Sequence, residues 1–128
     1  MCMKIFKPVN YRICGGSMDT YEVVKKLVLD NVHEKLIRIS LKLDFRRERS
    51  KIYFQDVDKT KVYEIKAVIG FSTFARAVRD AFEERFGEFK VDPLSFREDV
   101  LRNDRVELVL SPTGGLGLFD IWVNFRGN

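Results

Sequence analysis

Between Ile37 and Phe45 apolar and polar side chains alternate without a break, Ile37, Ile39, Leu41, Leu43 and Phe45 against Arg38, Ser40, Lys42 and Asp44. Successive residues of a strand point to opposite faces, so this segment predicts a strand with five apolar groups on one face and a polar, mainly basic set on the other. Two stretches carry the helical period instead. Asp19 and Glu22 are spaced as a capping box, and Tyr21, Val24, Leu27, Val28 and Val32 follow, which predicts a helix over 19–34. Ser72 is placed to cap a second helix over 73–86, whose stripe is Phe74, Ala75, Val78, Ala81, Phe82 and Phe86 and whose end is marked by Gly87.

The remaining segments are shorter. Residues 5–14 predict a strand that Pro8 confines to an edge, and 51–57 and 62–69 continue the 37–45 strand as a meander that turns at 58–61. After Pro93, residues 94–101 predict a short helix, and 106–110 and 118–125 predict two strands joined across 111–117. No repeat and no linker divides residues 1–128. The expectation is one α+β domain, a mostly antiparallel sheet of five or six strands with two main helices packed on one face. The other face, bearing Arg38 and Lys42, is left for water or a partner.

Composition narrows the class. With 45% hydrophobic and 12% aromatic residues in 128, the chain is neither disordered nor low in complexity. No apolar run reaches the roughly 18 residues of a membrane span and Met1 to Ile5 begins no apolar signal core, so the expectation is a cytoplasmic protein without a membrane partner. Cys2 and Cys14 cannot build a zinc site with the single histidine, His33. Abundant charge of both signs with Gln55 as the one glutamine is the usage of heat-adapted proteins.

The net charge of +4 is unevenly spread. Residues 35–51 hold seven bases, Lys35, Arg38, Lys42, Arg46, Arg47, Arg49 and Lys51, against Asp44 and Glu48, a net of +5. Residues 80–107 run the other way, with nine acids against five bases. Clustered arginine and lysine neutralise phosphates, and arginine adds bidentate contacts to their oxygens, so Arg38, Lys42, Arg46, Arg47, Arg49 and Lys51 are the candidate nucleic-acid-binding residues. The blander explanation is a charged strand and turn that keep a sheet edge from pairing with other chains. Readers of single strands also stack bases on exposed aromatics, and most aromatics here fall in the apolar stripes. Helix, three strands and helix is the order of a double-stranded-RNA-binding domain, but the second helix opens with Ser72-Thr73-Phe74 where that pattern places lysines.

A second candidate is catalytic. Asp56 ends one strand of the meander and Glu64-Ile65-Lys66 lies in the next, which resembles the acidic-x-Lys element of restriction-endonuclease-like nucleases. That resemblance implies Asp56 and Glu64 holding Mg²⁺ and Lys66 orienting or deprotonating the attacking water. It requires a hairpin register that faces Asp56 with Glu64; a loop of Lys59 to Lys61 does so, whereas a Lys59-Thr60 loop puts Asp56 opposite Tyr63. The glycines of 112–117 fit a hairpin loop better than a phosphate loop, because a strand follows them. His33 is expected to serve the end of the first helix and Cys14 to be a small buried hydrophobe. Trp122 must face away from Ile121 and Val123, as a stacking residue or as an interface anchor. The reading is a non-catalytic module that binds RNA or DNA through 35–51, as a homodimer or within a larger complex. The alternatives are a protein-interaction subunit without nucleic acid and, third, a Mg²⁺-dependent nuclease; outside the nuclease no cofactor is expected.

Overall fold

The computed structural model describes residues 3–6, 11–13, 19–90, 99–113 and 116–126, the first two segments by their backbone alone. The elements are β1 (Met3–Phe6), β2 (Tyr11–Ile13), α1 (Thr20–Asn31), β3 (Leu36–Asp44), β4 (Arg49–Asp56), β5 (Thr60–Ile65), α2 (Phe71–Phe86), β6 (Val100–Arg102), β7 (Val106–Thr113) and β8 (Leu118–Phe125). The strands form one sheet in the order β2-β1-β5-β4-β3-β8-β7-β6, with every pairing antiparallel. The α+β class and the two helices on one face are as the sequence pattern predicts.

The core is set by cross-strand register. Leu41 lies opposite Ile52 and Phe119, Ile39 opposite Phe54 and Ile121, and Ile52 opposite Tyr63, so one face of β5, β4, β3 and β8 is apolar from strand to strand. Against it pack Val23, Val24, Leu27 and Val28 of α1 and Phe74, Ala77, Val78, Ala81 and Phe82 of α2, all buried. Edge-on ring contacts of Phe74 with Phe119 and of Phe54 with Tyr63 fill the interior. The helices are also joined along their flanks, where Lys25 meets Glu84 at 2.9 Å and the Tyr21 hydroxyl donates to Asp80. Asp19 caps α1 by accepting from the Glu22 N–H, and Gly87, at φ +103°, closes α2 with its N–H on the Glu83 carbonyl.

Several boundaries differ from expectation. Five strands have six to nine residues, and three short ones of three or four residues bring the sheet to eight. The expected 5–14 strand is the β1/β2 pair, and Val100–Arg102, overlapping the end of the expected 94–101 helix, is strand β6 hydrogen-bonded to β7; 94–98 lie outside the described residues. The first helix stops at Asn31 because Val32 turns to extended backbone. Ser72 does not cap α2, which begins at Phe71 behind Gly70. In β3 the alternation slips at Ile37: the register shifts between Leu36 and Arg38, so Leu36 joins the core and Ile37 does not. At the other end the strand stops at Asp44, which leaves Phe45 in the turn and 62% exposed rather than in the core.

Candidate nucleic-acid interface

The same register builds the face away from the helices, on which no described element packs. One row across it reads Gln55, Arg38, Trp122, Val109 and Val100, and the next reads Val62, Tyr53, Ser40, Asp120 and Ser111. A third row reads Glu64, Lys51, Lys42, Leu118 and Thr113, and a fourth pairs Arg49 with Asp44 at the mouth of the β3–β4 turn. Rows two residues apart along a strand are separated by about 7 Å, so Trp122 lies roughly 13 Å from the lysine row. Four of the six candidate cations, Arg38, Lys42, Arg49 and Lys51, therefore share this face, and the other two, Arg46 and Arg47, sit in the turn beside it.

Arg38 and Trp122 are direct cross-strand partners. The guanidinium carbon stands 5.1 Å from the centre of the indole, a cation–π contact, while Trp122 is 45% exposed. Arg38 Nε is buried and has no hydrogen-bond partner among the described residues. Leaving such a donor unpaired costs about 1–3 kcal/mol, so the stack is maintained against a local penalty. Beside it the Ser40 hydroxyl donates to the Asp120 carboxylate, which fixes that acid between Trp122 and the lysines.

Lys42 and Lys51 are also direct partners, and like charges placed opposite one another destabilise a strand pair. Neither has an ion-pair partner among the described residues, because the acid next to Lys51, Glu64, is held by Arg49 at 3.0 Å. Arg46 is likewise without one, whereas Arg47 approaches Asp44 at 3.9 Å and donates its backbone N–H to that carboxylate. The turn closes with Glu48 in the left-handed region at φ +54°. Lys42, Asp44, Phe45, Arg47, Arg49, Lys51 and Glu64 line a cleft of about 300 Å³ at this end of the sheet. The β7–β8 hairpin supports its rim: the Leu43 N–H bonds to the Gly117 carbonyl, and Gly117, at φ +63°, lets the Phe45 ring lie over a position where a Cβ would stand 3.2 Å from it.

The catalytic candidates are not brought together. The β4–β5 loop is Val57-Asp58, a register the sequence reading did not include; Asp56 lies beside Lys59 while Glu64 lies opposite Lys51. Five residues separate Asp56 from Lys51 along β4, about 16 Å, and an odd separation puts the two carboxylates on opposite faces. Asp56 and Glu64 cannot share a Mg²⁺ ion, so Lys66 has no metal-bound water to serve, and no group of three metal-ligating side chains occurs among the described residues. Asp56 instead folds the turn. Its carboxylate accepts from the Lys59 and Asp58 N–H groups at 2.7 and 2.8 Å, and these bonds hold it below the usual carboxylate range against the upward push of burial.

His33 belongs to the link after α1 rather than to the helix end. Its Nδ1 accepts from the Lys35 N–H and its Nε2 lies 3.4 Å from Asp56. Cys2, Cys14, Pro8, Gly114 and Gly115 lie outside the described residues. Two features of the open face are absent from the sequence pattern set out above: Tyr53 and the Ser40–Asp120 pair. A period-two reading of 49–56 would have put Tyr53 with Lys51, but Asp120 needed the β3–β8 register. Comparison with protein-family models, with curated proteins and with solved structures finds no match for this chain.

Proposed function

We propose that this chain is a non-catalytic nucleic-acid-binding module that uses the open sheet face and the 45–48 turn. The observation that carries the reading is the gathering of Arg38, Trp122, Lys42, Lys51 and Arg49 on the face that no described element covers. Unneutralised Lys42, Lys51 and Arg46 supply charge for phosphates, and an exposed indole beside a guanidinium supplies a surface for bases. Dispersal of these groups, or capture of the arginines by the acidic 80–107 region, would have removed the argument; Arg47 and Arg49 pair with Asp44 and Glu64 beside them instead.

Reversing Arg46, Arg47 and Arg49 together to glutamate tests it. Binding of RNA or DNA should be abolished with the circular-dichroism spectrum retained, and undiminished affinity would reject this surface. The protein-interaction alternative rests on the same exposed Trp122 and on Leu116, 77% exposed at the β7–β8 hairpin. A homodimer through this face is its specific form, and sedimentation tests it. Among the described residues no helix is long and apolar enough to cross a membrane. A cytoplasmic location is part of the proposal, and the surface network in which Arg79 meets both Asp80 and Glu83 supports a heat-adapted source.

A further inference from the structure

We infer that the open face takes a single strand rather than a duplex, stacking bases on Trp122 and Tyr53 while the phosphates cross Lys42 and Lys51 towards the turn. This rests on the nucleic-acid reading above and gives it a ligand class.

Three features of the face point the same way. Trp122 offers nearly half its surface while Arg38 occupies one side of the ring, an arrangement that leaves the indole held in place for a flat ligand. Tyr53 lies on the same face, two strands and one row away, about 12 Å by strand geometry, a gap that a strand with splayed, unstacked bases can bridge. The bases of a duplex are stacked on each other and cannot reach either ring, so a duplex would meet only the cations of the face and the turn.

Charge then orders the ligand. Asp120 stands in the row of Tyr53, between Trp122 and the lysines and held by Ser40, and a carboxylate there repels phosphate. The backbone is thereby confined to the Lys42–Lys51 row and the 45–48 turn, where cations stand unneutralised, and base edges are left to face Asp120. That carboxylate accepts from exocyclic amino groups such as cytosine N4. A phosphate between Lys42 and Lys51 also answers the repulsion that their register imposes.

Trp122 is the single tryptophan of the chain, so its emission reports the site directly. The full chain is titrated with short oligodeoxycytidine, with a duplex of the same length and with heparin, a polyanion without bases, and a labelled strand gives affinity independently by anisotropy. The single strand should quench Trp122 saturably, with little response to duplex or heparin. Tyr53→Ala and Trp122→Ala should each weaken strand binding roughly tenfold or more, while Trp122→Phe retains most of it. Equal, salt-dependent affinity for strand and duplex without quenching would overturn the stacking inference and leave the nucleic-acid reading standing. Absence of binding to all three would overturn both. So would a concentration-dependent blue shift of Trp122 emission that tracks dimer formation in sedimentation, because the face would then be covered by a second copy.

Discussion

On the face beneath the helices Leu41 has Ile52 on one side and Phe119 on the other; one residue along the same strand, Lys42 has Lys51 on one side and Leu118 on the other. The covered face brings like to like because removing apolar surface from water rewards every such neighbour. The open face places lysine against lysine, buries an arginine nitrogen without a partner among the described residues and exposes an indole, none of which the fold needs. The contrast teaches where to look for function. Arrangements that cost stability on one side of a sheet whose other side is consistently packed are candidates for a ligand's contribution.

The comparison breaks most visibly under truncation. Phe74→Ala, in the covered core, should lower unfolding free energy by about 3–5 kcal/mol in chemical denaturation, whereas Trp122→Ala should change it by under about 1 kcal/mol and act on binding instead. Equal losses would mean that the two faces are alike. Where both faces end, at the hairpin under Phe45, Gly117→Ala should destabilise by about 1–2 kcal/mol, since φ +63° disfavours any side chain and the added Cβ crowds the Phe45 ring. Lys42→Glu sharpens the contrast: it converts a repulsive pair into an attractive one, so stability should rise by about 0.2–1 kcal/mol while strand affinity falls. A loss of stability with unchanged affinity would contradict the assignment of this row to a ligand.

The smallest effect lies at the opposite end of the sheet, in the Asp56 turn. Its carboxyl is held low in the folded state by the Lys59 and Asp58 N–H groups, so the stabilisation it gives is fully present above the unfolded carboxylate value of 3.8 and is lost as pH falls through the lower folded value. Acid titration of thermal stability should therefore show a shallower decline below that point in Asp56→Ala than in the parent, with binding at neutral pH unaffected.

The covered side was legible in the sequence to the extent that it follows a period. Leu41, Ile39, Val24, Leu27, Phe74 and Phe82 were placed by alternation or by helical spacing, which are local signals. Phe45 and Ile37 were misplaced because a register shift at Ile37 and a strand end at Asp44 depend on the partner strand. On the open side, charge clustering identified the cations of 35–51 and period two turned Trp122 away from Ile121. Which groups meet there was hidden. The Arg38–Trp122 and Ser40–Asp120 contacts join residues about 80 positions apart, and the two-residue turn at Val57-Asp58 that separates Asp56 from Glu64 lacks the glycine that would have announced it.

The most direct test of the open face is the salt dependence of single-strand binding in the parent and in Lys42→Ala/Lys51→Ala. If these side chains meet phosphates, the logarithm of affinity falls linearly with that of salt concentration, and the double substitution reduces the slope by about 1.4, near 0.7 for each lost contact. An unchanged slope, with affinity intact, would show that the strand lies elsewhere and that this face serves another purpose.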